Sequence, residues 1–228
     1  MKILSLSKIS LFITAVSLVI SSPVYAANNS TLTQSISAGV LTTDILDSSH
    51  TPVASPTAAM SAKTFSFDCQ VGANASTGTL GTNAERMYLS NPSAAPNGWT
   101  LTIAATNGPT TLWSNAGATR SFDFNDPTAS GCSDGADADT KAGQLAIDPS
   151  VASLVTDCSS CTTTGVTKGP SSAFAEGTVN SLTLLSASAS ADQVWRGYLS
   201  GASLKQTIPG ETPADNYTLG LTLTATAL

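Results

Sequence analysis

The 228-residue chain has a single histidine, His50, and is poor in both aromatic (6%) and charged (11%) residues. Those scarcities exclude several kinds of chemistry. No Ser-His-Asp or Cys-His arrangement and no paired carboxylates stand at a recognisable spacing, so hydrolytic machinery cannot be located. A zinc site would want more histidines or a second cysteine pair at ligand spacing. His50 lies in a Ser/Thr/Pro-rich loop from Asp47 to Ser61, has no sequence-local partner, and reads as solvated. Nine basic residues face fifteen acidic ones, a balance that suits no nucleic-acid surface. No 3.6-residue period extends beyond the N-terminal stretch, and turn signals recur every 8 to 12 residues or so, the rhythm of sandwiches and barrels.

The one long apolar run, Ile9 to Ile20, follows Lys2 and Lys8 and precedes Val24-Tyr25-Ala26. That order predicts a secretory signal peptide over residues 1–26, cut after Ala26. The run is too short for a comfortable membrane span, which takes ~20 residues. Ala27 at the new N-terminus argues against lipoprotein processing. The mature chain, residues 27–228, would carry 202 residues, long enough for one sizeable core, with a net charge of −8 once Lys2 and Lys8 are gone.

Four cysteines, Cys69, Cys132, Cys158 and Cys161, remain after export, and an even count in an oxidising compartment predicts two disulfides. Three pairings are open; Cys69 with Cys132 and Cys158 with Cys161 is the preferred one. Read as a redox pair, Cys158-Ser159-Ser160-Cys161 would need a helix N-terminus in a βαβ setting, which the sequence does not offer.

What the chain does have is alternation. In Asn97-Gly98-Trp99-Thr100-Leu101-Thr102-Ile103-Ala104, Trp99, Leu101 and Ile103 fall on one face of a strand and the threonines on the other, after a turn that tolerates positive φ. Trp99 is therefore expected in the core. Further strands are predicted within Thr31 to Leu41, where an alternating strand is followed by a small-residue turn and a second apolar start, and over Phe65 to Val71, Gln144 to Ile147, Val179 to Leu185 and Val194 to Leu199. In the last of these Trp195, Gly197 and Leu199 share a face opposite Val194, Arg196 and Tyr198. Tyr217 to Leu228 alternates without a break, its threonines suiting a solvated sheet face. An ending on a strand would leave no place for a spanning helix or lipid-anchor tail, so retention at a surface would depend on binding. The expected fold is all-β, an antiparallel, Greek-key-like sandwich with long loops.

An acidic insertion occupies about residues 123–148, where Asp123, Asp126, Asp134, Asp137, Asp139 and Asp148 sit among glycines with only Lys141 to offset them. Crowded carboxylates repel unless solvated or shared with a cation, and Ca²⁺ is the hard cation of the extracellular medium. Asp134-x-x-Asp137-x-Asp139 does not match an EF-hand loop, so a solvated loop and a calcium site both stay open.

Together, Trp99-Thr100-Leu101 after its Asn-Gly turn, and the strand rooted at Tyr217 with Leu221 and Leu223 after an Ile-Pro loop, resemble the WxL domain family of bacterial surface proteins. The resemblance covers about Thr31 to Leu228 and departs from the family where Leu223 stands in place of the second motif's own tryptophan, and in the cysteines and the acidic insertion, which the family pattern does not require. It implies an exported, β-rich, noncatalytic protein held noncovalently at the cell surface by peptidoglycan. Tyr88, Trp113, Trp195 and Tyr198 are the aromatics expected to meet cell-wall glycan or another surface protein. The alternative is a self-assembling surface-layer or fibre subunit, a homo-oligomer paired through an edge strand such as Leu32 to Ile36.

Overall fold

A computed structural model describes residues 34–37, 39–92, 97–135 and 139–228. The chain divides into Met1–Ile36 and Ser37–Leu228. The predicted signal peptide, Leu32 and Asp137 lie outside the described residues.

Within Ser37–Leu228 the described residues contain strands and short 3-10 turns, with no α-helix and so none long and apolar enough to cross a membrane. The first eight strands are β1 (Thr42–Leu46), β2 (Ser76–Leu80), β3 (Arg86–Asn91), β4 (Trp99–Ala105), β5 (Trp113–Asn115), β6 (Ser121–Phe122), β7 (Gln144–Asp148) and β8 (Ser153–Thr156). The rest are β9 (Val166–Lys168), β10 (Ser172–Ala173), β11 (Ser181–Ala187), β12 (Trp195–Ser200), β13 (Ala202–Thr207), β14 (Tyr217–Thr218) and β15 (Leu221–Ala227). They form four antiparallel sheets in the orders β1-β3-β12-β8, β10-β7-β13-β2, β15-β4-β11-β9 and β14-β5-β6. The result is the expected all-β, sandwich-like fold. Only β5 and β6 are both consecutive and paired; every other described strand hands the chain to a different sheet.

The Trp99 strand fulfils its pattern. Trp99, Leu101, Ile103 and Ala105 are buried, and Thr100, Thr102 and Ala104 alternate with them at the half-exposed positions. Trp195, Gly197 and Leu199 of β12 are likewise buried on one face. Side chains from these strands, with Met87, Leu89, Phe124, Phe174, Leu184 and Leu204, form one contiguous core. The chain can enter β4 so tightly because Gly98 adopts φ +96°; a Cβ there would fall 2.0 Å from the Ala187 carbonyl oxygen. Both preferred disulfides are present, Cys69–Cys132 and Cys158–Cys161.

Four expectations need correction. The described part of the stretch from Thr31 to Leu41, residues 34–37 and 39–41, forms no strand, so the proposed edge strand Leu32 to Ile36 is not one over Gln34 to Ile36; the first strand begins at Thr42. Phe65 to Val71 is not a strand: apart from an isolated bridge between Gln70 and Ile208 it has no partner strand, and Phe65 and Phe67 are 48% and 78% exposed. Alternation alone does not make a strand where no sheet edge is offered. The C-terminal ribbon is not continuous either. It breaks at Leu219–Gly220, so Tyr217 pairs with Asn115 in one sheet while β15 pairs with β4 in another. Finally, the acidic stretch is not one solvated loop. Asp123 and Asp126 are buried. Asp126 accepts from the backbone N–H of Thr128 (2.8 Å) and Gly135 (2.9 Å), and Asp123 from those of Phe124 and Asn125, so these carboxylates fasten turns.

Candidate binding cleft

Residues far apart in sequence meet at one end of the fold because β5, β6 and β14 form a small sheet of their own. Trp113 is opposite Phe122 in the β5–β6 register, and Tyr217 joins from β14. Trp113 and Phe122 stack with centroids 5.9 Å apart and planes 12° from parallel, and Tyr217 meets Phe122 edge-on at 5.0 Å. This aromatic wall borders a cleft of about 280 Å³, with Phe65, Lys63 and Asn216 at its rim. The exposed Phe65 that failed to enter a strand thus becomes a cleft residue.

Polar groups hold the wall in place. Trp113 Nε1 donates to Gln206 Oε1 at 2.8 Å, and buried Gln206 passes its own amide hydrogens to the carbonyls of Asp123 and Thr207. Tyr217 donates its phenolic hydrogen to the Pro213 carbonyl at 2.6 Å. Asp215 accepts from Asn115 Nδ2 at 2.9 Å and pairs with Arg120 at 3.3 Å. These bonds, first the one from Asn115 and then that from the Asn216 backbone, hold the Asp215 carboxyl below its ordinary range. Burial, followed by the neighbouring Asp215 charge, pushes the Tyr217 phenol up.

The two stretches singled out by sequence lie side by side. β15 pairs with β4 along its whole length, with Ala227 opposite Trp99, Ala225 opposite Leu101 and Leu223 opposite Ile103. Trp99 and Leu101 are core residues, Leu221 and Leu223 are partly buried against the core, and Tyr217 alone of the five lines the cleft. Of the four aromatics expected at a recognition surface, Trp195 and Tyr88 are 1% and 4% exposed and unavailable; Trp113 and Tyr198 keep partial exposure.

A second polar cluster was not legible in the sequence. His50, read as solvated and alone, places Nε2 2.9 Å from Asp157 Oδ2, 107 positions away, and Asp157 also receives Arg196 Nε at 3.3 Å and Tyr88 OH at 3.4 Å. Burial and then the Asp157 charge raise the Tyr88 phenol, with Arg86 opposing. The depression here is about 110 Å³ and includes Ser90 and Thr42, but among the described residues no hydroxyl hydrogen-bonds to His50. Of the calcium candidates, Asp139 accepts from the Lys141 backbone N–H at 2.7 Å, Asp134 is exposed, and Asp137 lies outside the described residues. Among the described residues no three His, Cys, Asp or Glu side chains gather as metal ligands.

Comparison with known proteins finds no matching family model, no matching curated protein and no matching solved structure.

Proposed function

We propose that this is an exported, noncatalytic, WxL-like cell-surface protein that binds cell-wall glycan through the Trp113–Phe122–Tyr217 cleft. The observation that carries the reading is the aromatic wall with amides beside it. A pyranose offers a face of C–H groups and an edge of hydroxyls, which match such a wall and rim. Two disulfides suit an oxidising compartment.

The test is retention on purified peptidoglycan. The protein is expected in the pellet, and Trp113→Ala is expected to release it; an unaltered protein that stays in the supernatant, with or without Ca²⁺, removes the reading. A second reading, assembly into a surface layer or fibre, is favoured by one observation: β15 is a seven-residue strand at the edge of its sheet, with no strand paired along its outer side among the described residues. A strictly monomeric protein at high concentration would count against it.

A further inference from the structure

Next to the aromatic cleft lies a second space, of about 340 Å³ and more strongly apolar. Leu80, Ile103, Leu145, Leu204, Leu221 and Leu223 line it. Of its few polar neighbours, Glu85 is engaged by the Thr57 backbone N–H at 3.1 Å. Met60, Trp113 and Tyr217 border both spaces, so the two adjoin along these side chains.

One segment covers both. Residues 53–70 join β1 to the β2 region with isolated bridges only, at Met60–Gly78 and Gln70–Ile208. Pro56, Thr57, Ala58 and Met60 border the apolar chamber and Ser61 to Phe65 the aromatic one. The cover fits closely against β2 because position 78 is glycine; a Cβ there would meet Met60 Sδ at 2.7 Å and the Ala59 carbonyl oxygen at 2.8 Å. Its far end is fixed by Cys69–Cys132 and by backbone hydrogen bonds from Gln70 to Ile208, from Ile208 back to Gln70, and from Glu211 to Ser66. Protein interiors are close-packed, and an apolar void lowers stability in proportion to its volume. A chain that keeps Leu219, Leu221 and Leu223 only partly buried around such a space has left room for something apolar.

Resting on the glycan reading of the cleft, we infer that the ligand is an amphiphile, with a sugar-like head on the Trp113–Tyr217 wall and a linear hydrocarbon tail in the leucine-lined chamber beside it. Together the two spaces fall in the range of ~300 to 1,000 Å³ typical of small-molecule sites. A peptide would not suit the apolar chamber, since its backbone amides would be buried there without partners. A hydrocarbon has no such groups, and a free sugar would leave the chamber unused.

The experiment is calorimetric titration of the disulfide-intact protein with glucose, hexyl, octyl and decyl glucoside, and octanol, each below its micelle concentration. The dissociation constant is expected to fall roughly fourfold per methylene until the chamber is filled, then level off. Glucose and octanol should each bind more weakly than octyl glucoside. Ala58→Phe, which directs a ring into the apolar chamber, should flatten the chain-length series. Affinity independent of chain length in the unaltered protein, or octanol binding as tightly as octyl glucoside, overturns the inference. Retention on peptidoglycan without a chain-length effect would sink the tail and spare the glycan reading. A chain-length effect without retention would do the reverse.

Discussion

The rings of Trp99 and Trp195 pack 5.1 Å apart, centroid to centroid, and 41° from parallel, joining the sheet of β4 to the sheet of β12, yet among the described residues only one of the two indoles has a partner for its N–H. Trp195 Nε1 donates to the Thr162 carbonyl at 2.9 Å, whereas Trp99 Nε1 is buried with no hydrogen-bond partner among the described residues. The burial of both rings contributes to stability mainly through apolar area, so truncating either to alanine should cost about 3–5 kcal/mol. Phenylalanine separates them. Trp195→Phe gives up a hydrogen bond worth about 1 kcal/mol, while Trp99→Phe removes an unsatisfied donor. Urea unfolding should therefore place Trp99→Phe above Trp195→Phe in stability, with equal slopes; the opposite order would show that the Trp99 N–H is satisfied in solution.

The Cys69–Cys132 disulfide spans 63 positions and fixes the cover of the cleft to the acidic stretch. Closing a loop of that length restricts the unfolded chain by about 4 kcal/mol, against about 2 kcal/mol for a loop as short as that of Cys158–Cys161. Replacing Cys69 and Cys132 by serine should lower the melting temperature more than replacing Cys158 and Cys161. It should also speed amide exchange over residues 61–71 selectively. Equal losses from the two double variants would contradict the assignment.

Strands that carry their own two-residue alternation on a buried face, such as Trp99–Ala105 and Trp195–Ser200, were legible in the sequence because burial on one face is a local property. Which strand lies beside which was not. Nearly every connection changes sheet, so partners such as Ala227 and Trp99 are set by packing across the whole domain. The same cause hid the cleft: Phe65, Trp113 and Tyr217 converge from three separate segments, and Phe65-Ser66-Phe67 carries a strand's alternation in a segment that no sheet takes up. His50 and Asp157 meet across 107 positions with no spacing to announce them.

Gly98 gives a test of the junction between the two motif strands. Its φ of +96° and the 2.0 Å approach that a Cβ would make to the Ala187 oxygen leave no room for alanine, and its carbonyl accepts the Leu228 backbone N–H at 3.0 Å. Gly98→Ala is expected to destabilise by more than about 1 kcal/mol and to loosen the end of β15. Hydrogen exchange should rise first at Thr226 to Leu228. Unchanged protection there would mean that the turn relaxes without pulling on the last strand.

The cleft should lose its shape at both ends of the pH scale, for reasons of opposite sign. Asp215, held below the ordinary carboxylate value of 3.8 chiefly by Asn115 and then by the Asn216 backbone, contributes stability that is in place above that value and is lost as pH falls through its depressed one. Tyr217, raised above 10.0 by burial and then by the Asp215 charge, contributes stability that is in place below 10.0 and is lost as pH rises through the raised value. The two are linked, since a negative Asp215 makes ionising the nearby phenol harder. Asp215→Asn should therefore remove the acid-side change in Trp113 fluorescence and, at the same time, bring the Tyr217 phenol down in an ultraviolet titration. Because Asp215 is exposed, the effect belongs at low ionic strength and should shrink with added salt. A Tyr217 titration that stays in place in the asparagine variant would leave burial as its whole cause and uncouple the two residues.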